Sequence, residues 1–199
     1  ILAIIIKVIN STQQNCVGSL PVDFIGHITM HTSILDLKPL SRIRRNHGLE
    51  HATIHILSKK HPEIPIGGLS STHGFTIVGD IPTEEVAEAA IEALKKLRAG
   101  HKELALHPNC GTNFAVSGAI VGLAAWVSML GADKKISQKL ERLPLVMALA
   151  TLALILARPL GPAIQQNITT SGVPAGLELE RVETSVRAGL RLHRVLTKG

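Results

Sequence analysis

The chain has 199 residues, enough for one substantial soluble core plus an appendage. Apolar residues make up 45% and charged residues only 18%, with a mean hydropathy of +0.27, a balance shifted from ordinary globular proteins toward lipid. The formal charge of +6 is spread over three stretches without a strongly basic face, and aromatic residues are 2%; nucleic acid is therefore excluded as the main partner, because stacking platforms and a phosphate-binding face are both lacking.

Residues 1–40 form an N-terminal segment with no role assigned, and residues 1–8 are read neither for nor against a signal peptide. Cys16 lies in this segment and Cys110 far from it, so the two cysteines make no disulfide framework. Residues 41–60 read as a helix that stops at His61-Pro62, since proline disfavours helical geometry at the residue before it. Arg42, Arg44 and Arg45 near its start oppose the helix dipole, and they require an anion, headgroup or carboxylate partner unless they are simply solvated.

Residues 64–71 read as a glycine-containing loop and 74–78 as a strand able to hold an extended substrate at its edge. Pro82, Thr83, Glu84 and Glu85 open a second helix with Thr83 as its cap. Its apolar positions Val86, Ala90, Ala93, Leu94 and Leu97 repeat at helical spacing, and Gly100 ends it. Residues 103–107 read as a short strand leading into the turn His107-Pro108-Asn109-Cys110-Gly111.

The run 112–132 holds no charged residue over 21 positions, enough for a helix to cross about 30 Å of hydrocarbon. The second run, 143–157, has 15 residues and is followed by Arg158, Pro159, Gly161 and Pro162. It spans if Arg158 snorkels and the helix continues to Ile164; otherwise it is re-entrant. Residues 133–142 link the two. Such a hairpin returns both flanks to one side of the bilayer, but basic residues are balanced between link and approach, so orientation stays undefined. Residues 177–186 and 190–196 are weak strand candidates. The resulting expectation is an α+β chain: a small soluble metal-site domain at 41–111, a transmembrane hairpin at 112–164, and a β-rich tail at 165–199 packing on the soluble domain.

His47-Gly48-Leu49-Glu50-His51 is an H-x-x-E-H motif. On a helix His47 and His51 project from one face, where two imidazoles can hold one metal, with Glu50 beside them to take a proton from water. A third ligand is needed, and His107 and Cys110 in the later turn are the candidates, giving three histidines or two histidines and a thiolate. His55, one turn further along the same face, is a weaker candidate; His73 and His101 read as solvated.

Three blocks then carry a resemblance: Asn46-His47-Gly48-Leu49-Glu50-His51-Ala52-Thr53, Gly67-Gly68-Leu69-Ser70-Ser71 with Gly74-Phe75, and His107-Pro108-Asn109-Cys110-Gly111-Thr112-Asn113. Together they resemble an uncharacterised bacterial membrane-protein family, domain of unknown function 6391, common in photosynthetic bacteria and marked by HALEHAT, LGGLS and HPxCGTN blocks. The resemblance covers about residues 40–165. A second family, predicted metal-dependent membrane proteins with HGAEH and HPRCGTSF blocks, is also similar. Both resemblances imply that His47, Glu50, His51, His107 and Cys110 share one site, and His55 is not part of the pattern.

The leading expectation is a zinc-dependent hydrolase at the surface of a bacterial inner or photosynthetic membrane, acting on a peptide bond by motif analogy. The alternative is an accessory or assembly subunit of a larger membrane complex, partnered by other subunits, in which His47, His51, His107 and Cys110 close a structural site. A third reading is a metal-free Cys110–His107 nucleophilic enzyme.

Overall fold

The first long helix, α1, spans Lys38–Lys60 in the computed structural model, which describes residues 34–131 and 135–199. Cys16 and nearly all of the N-terminal segment lie outside the described residues. Pro39 sits in the first turn of α1, where its missing N–H has no intrahelical acceptor to satisfy. The helix begins three residues earlier than expected, so the arginines lie beyond its first turn. They meet backbone carbonyls: Arg42 donates to Thr197 O at 2.7 Å, Arg44 to Asn167 O at 3.1 Å and Arg45 to Ser41 O at 3.4 Å.

Strands β1 (Gly67–Ser71) and β2 (Gly74–Val78) follow as a hairpin closed by Thr72 and His73. The first corrects the loop expected at 64–71. Gly-Gly-Leu-Ser-Ser has little intrinsic strand preference, and pairing with β2 imposes the extended form. The second correction concerns the edge. In the antiparallel order β1-β2-β4-β3, β2 is interior, so among the described residues β1 rather than β2 forms the sheet edge beside α1.

Helix α2 (Thr83–Arg98) buries Val86, Ala90, Ala93, Leu94 and Leu97. These residues join Leu49, Ala52 and Leu57 of α1 with Phe75 and Ile77 of β2 in one apolar core. Thr83 does not cap the helix; its hydroxyl meets the Thr184 hydroxyl at 2.7 Å. The strand expected at 103–107 is instead a 3-10 turn, Lys102–Ala105. Among the described residues no strand lies beside it, and local bonds from Leu104 N to His101 O and Leu106 N to Glu103 O take over.

Helix α3 (Gly111–Met129) follows, then the short α4 (Ile136–Glu141), α5 (Leu143–Ala157), the short α6 (Leu160–Ile164) and a π turn at Gln165–Thr169. Among the described residues, α3 is the one helix that is by itself long and apolar enough to cross a membrane; α5 reaches that length only together with Leu160–Thr169, across a bend of 45°. The two helices run antiparallel. At one end Arg142, before α5, donates to Ser128 O and Leu130 O at the end of α3, at 3.1 and 2.6 Å, satisfying carbonyls the helix cannot. At the other, Gly161 lies so close to Asn113 that a Cβ there would overlap the asparagine. Ser128, Ala153 and Ala157 are buried, whereas Phe114, Trp126, Met147, Leu154, Ile155 and Leu156 are exposed.

The tail forms β3 (Glu178–Arg187) and β4 (Leu190–Lys198), joined by Ala188 and Gly189 at φ 49° and 77°, the left-handed pair of a type I′ hairpin turn. β4 pairs with β2, so the C-terminal residues complete the sheet that began at Gly67. Fully buried Asn46 then fastens sheet to helix: its amide donates to Ser71 O at 2.8 Å and accepts from the Thr197 hydroxyl at 2.8 Å. This clamp holds the end of β1 over the turn of α1 that carries the H-x-x-E-H motif.

Candidate metal centre

Helical spacing puts His47 and His51 on one face of α1, their ring centroids 4.4 Å apart. Each ring is oriented by a backbone carbonyl from another element. His47 Nδ1 donates to Thr169 O at 3.0 Å, and His51 Nδ1 donates to Ala105 O at 2.7 Å. A carbonyl oxygen only accepts, so Nδ1 carries a proton in each ring, and in the neutral rings both Nε2 atoms are left for a ligand role.

Cys110 is the N-cap of α3, its sulfur accepting from Thr112 N–H at 3.4 Å. Sγ lies 3.4 Å from His47 Nε2, close to the ~3.5 Å edge of a tetrahedron with ~2.1 Å zinc–nitrogen and ~2.3 Å zinc–sulfur bonds. Potential ligand atoms of His47, His51 and Cys110 all lie within 4.8 Å of one another. Burial alone would push the thiol up, but hydrogen bonding with the His47 and His51 imidazoles and with Thr112 brings it down to about 5. Burial lowers the His47 pKa, yet the bond to Cys110 and the charge of Glu50 outweigh it and leave the group raised. Two free Nε2 atoms and an acidic thiol form a donor set that fits a borderline-soft divalent metal.

Glu50 is 4% exposed, and burial raises its carboxyl pKa despite a hydrogen bond from the Ser70 hydroxyl. Gly68 makes this arrangement possible, since a Cβ there would overlap the Glu50 carboxylate. Gly48 does the same on the other side of the helix, where a Cβ would collide with the Ser171 carbonyl. A cleft of about 690 Å³ opens onto His47, Glu50, His51 and Cys110.

His107 stands beside this group and is not one of the three. Its ring lies 5.6 Å from that of His51 and 4.9 Å from that of His55, and its Nδ1 accepts from Asn109 N–H at 3.3 Å. Burial, with His55 and His51 nearby, lowers its pKa to about 4, so it is neutral at ordinary pH. His55 is occupied by Leu106 O at 2.7 Å. The thiol's imidazole partner is thus His47 rather than His107, which removes the geometry that a Cys110–His107 pair would need.

Sequence reasoning missed the groups that hold the ligands. Gln165, 1% exposed, accepts from His107 N–H at 3.0 Å and donates to His107 O at 3.0 Å and Asn113 Oδ1 at 2.6 Å. It thereby fixes the turn that carries Cys110. Thr169, Ala105 and Ser70 orient the two histidines and Glu50. Ser70 belongs to a recognisable block, but Gln165 and Thr169 follow an apolar run with no signal of their own, and Ala105 contributes only its backbone.

No solved structure matches the chain significantly. An uncharacterized protein of Picosynechococcus sp. is 32% identical over 186 residues, covering 87% of this chain and 82% of the relative. The family described as domain of unknown function DUF6391 matches residues 42–182, a span that contains the histidine helix, the edge strand, the cysteine turn and the apolar helices. The chain belongs to that family.

Proposed function

We propose that the protein is a zinc-dependent hydrolase seated at a membrane surface, with a peptide bond as its substrate. The observation that carries this reading is the pairing of a three-donor cluster, His47, His51 and Cys110, with a buried carboxylate, Glu50, in one open cleft. Catalytic zinc sites keep three protein ligands and an open position, whereas structural sites are closed by four. His107 outside the group favours the first arrangement over an assembly subunit with a structural staple. Two nitrogens and a thiolate favour zinc over harder cations.

When bound, zinc would supply Lewis acidity, polarising a carbonyl and making water more acidic. Glu50 takes the proton from the attacking water as the new C–O bond forms. It returns the proton to the departing amine as the C–N bond breaks. The raised carboxyl pKa suits a group that must both accept and release a proton. His107, neutral and beside the cluster, is available as a hydrogen-bonding group for the substrate.

Membrane residence is supported by the exposed side chains of α3 and α5, because such continuous apolar faces are rare in water. With Arg142 and Gly161 setting an antiparallel pair, α3 and α5 with its bent extension would form a spanning hairpin. The cleft then lies at the bilayer surface, since Gly111 and Thr112 both line it and begin α3. The protein should stay in membranes through an alkaline wash. Purified protein should carry one zinc, and Glu50→Gln should keep that zinc while losing peptide hydrolysis by about 10²–10⁴-fold. If Glu50→Gln left hydrolysis unchanged, or if zinc proved to be held by four protein ligands, the hydrolase reading would be wrong.

A further inference from the structure

The sheet has two edges, and they are built differently. β3 carries Glu178, Glu180, Arg181, Glu183 and Arg187 along its length, the charges that keep a natural edge from pairing. β1 is Gly-Gly-Leu-Ser-Ser, with no charge at all. The two-residue turn makes Ser71 and Gly74 a hydrogen-bonded pair, so Gly67, Leu69 and Ser71 bond to β2 by alternation. Gly68 and Ser70 therefore direct their N–H and C=O groups outward. Among the described residues, neither backbone has a hydrogen-bond partner on that side.

This open edge runs along the catalytic cleft. Gly67, Gly68, Leu69 and Ser70 line it together with the metal cluster, and Glu50 is its sole acidic or lysine/arginine side chain among the described lining residues. Ile43, Ile54, Pro65 and Ile66 supply apolar wall. The same two residues that turn their backbones outward hold the base: Ser70 donates to Glu50, and Gly68 leaves the space that the carboxylate fills. A chain paired to Gly68 and Ser70 would thus carry its own carbonyls past Glu50.

We propose that the outer edge of β1 is the recognition surface of this site and that its ligand is an extended polypeptide segment with uncharged side chains, held by main-chain hydrogen bonds to Gly68 and Ser70. Recognition then reads backbone conformation first and side chains second. The fate of the bound segment rests on the hydrolytic reading above; the docking itself does not.

The test uses the full chain in detergent micelles, zinc-loaded and carrying Glu50→Gln so that a bound peptide stays intact. The probe is a set of fluorescent peptides of about ten residues drawn from Ala, Ser, Thr, Val, Leu and Ile, long enough to cover a five-residue strand. Saturating peptide should slow hydrogen exchange at the Gly68 and Ser70 amides by about tenfold or more, and leave β3 unchanged. N-methylation of alternate peptide amides should weaken binding about tenfold, while methylation of the intervening amides should not. Absence of binding, or binding without protection at Gly68 and Ser70, overturns the proposal. Parallel incubation with zinc-loaded wild-type protein separates the two ideas. Protection of β1 without cleavage leaves the docking surface standing and removes the hydrolase, and cleavage without protection does the reverse.

Discussion

Gln165 lies 55 positions after Cys110 in the sequence, yet it decides where the thiol sits. Its amide pairs with both the N–H and the C=O of His107 and also with Asn113 Oδ1, clamping the two ends of the turn around Cys110. Gln165→Met keeps the volume and removes all three bonds. His107 O retains the Asn113 amide at 3.3 Å, so two groups, His107 N–H and Asn113 Oδ1, are left without a protein partner. At ~1–3 kcal/mol for each unsatisfied group, the loss of stability is about 2–6 kcal/mol. Zinc affinity should fall by about 10–100-fold, as for other groups that orient a ligand from outside the coordination sphere. Competition with a chromophoric chelator measures the affinity, and thermal unfolding in detergent measures the stability. If Gln165→Met bound zinc as tightly as wild type, the turn would not depend on this clamp and the account of how Cys110 is positioned would fail.

In metal-free protein, thiolate absorbance should titrate near pH 5, and His47→Ala should move the midpoint upward; a wild-type midpoint near 9 would contradict the pairing. The sign for stability follows: the depressed thiol stabilises fully above its unfolded value near 9 and loses that contribution as pH falls through about 5, whereas the raised His47 contributes below its ordinary 6.5 and loses it as pH rises through its folded value. Gly48→Ala should cost about 1–3 kcal/mol, because the atoms a Cβ would meet are Ser171 backbone; an unchanged unfolding midpoint would deny that close approach. Gly68→Ala should displace the Glu50 carboxylate and lower hydrolysis at least about tenfold with zinc retained, and undiminished turnover would mean that Glu50 is not held as described.

Much of the helical architecture was legible because long apolar or amphipathic periods leave little choice: α2 and α5 were expected nearly where they lie, and α1 differs by one turn at Pro39. Two of the three candidate metal donors were readable from four-residue spacing on a helix, while Cys110, named as a candidate in the later turn, joins them only because that turn folds back over α1. The misreadings share a cause. β1 has neither alternation nor β-branched residues, so only its partner β2 makes it a strand, and residues 103–107 had a short apolar run but no partner strand among the described residues. Thr83 had the right chemistry for a cap and found the Thr184 hydroxyl instead. The carbonyls of Thr169 and Ala105, which fix the tautomers of His47 and His51, were invisible in sequence because every residue has a carbonyl and only tertiary structure selects one.

X-ray absorption at the zinc edge of the full chain, purified with its metal, tests the central claim most directly. The expected first shell is one sulfur near ~2.3 Å, two imidazole nitrogens near ~2.0–2.1 Å and one light-atom position not supplied by the protein, with the sulfur signal lost in Cys110→Ser. A first shell without sulfur, or one unchanged by Cys110→Ser, would contradict it.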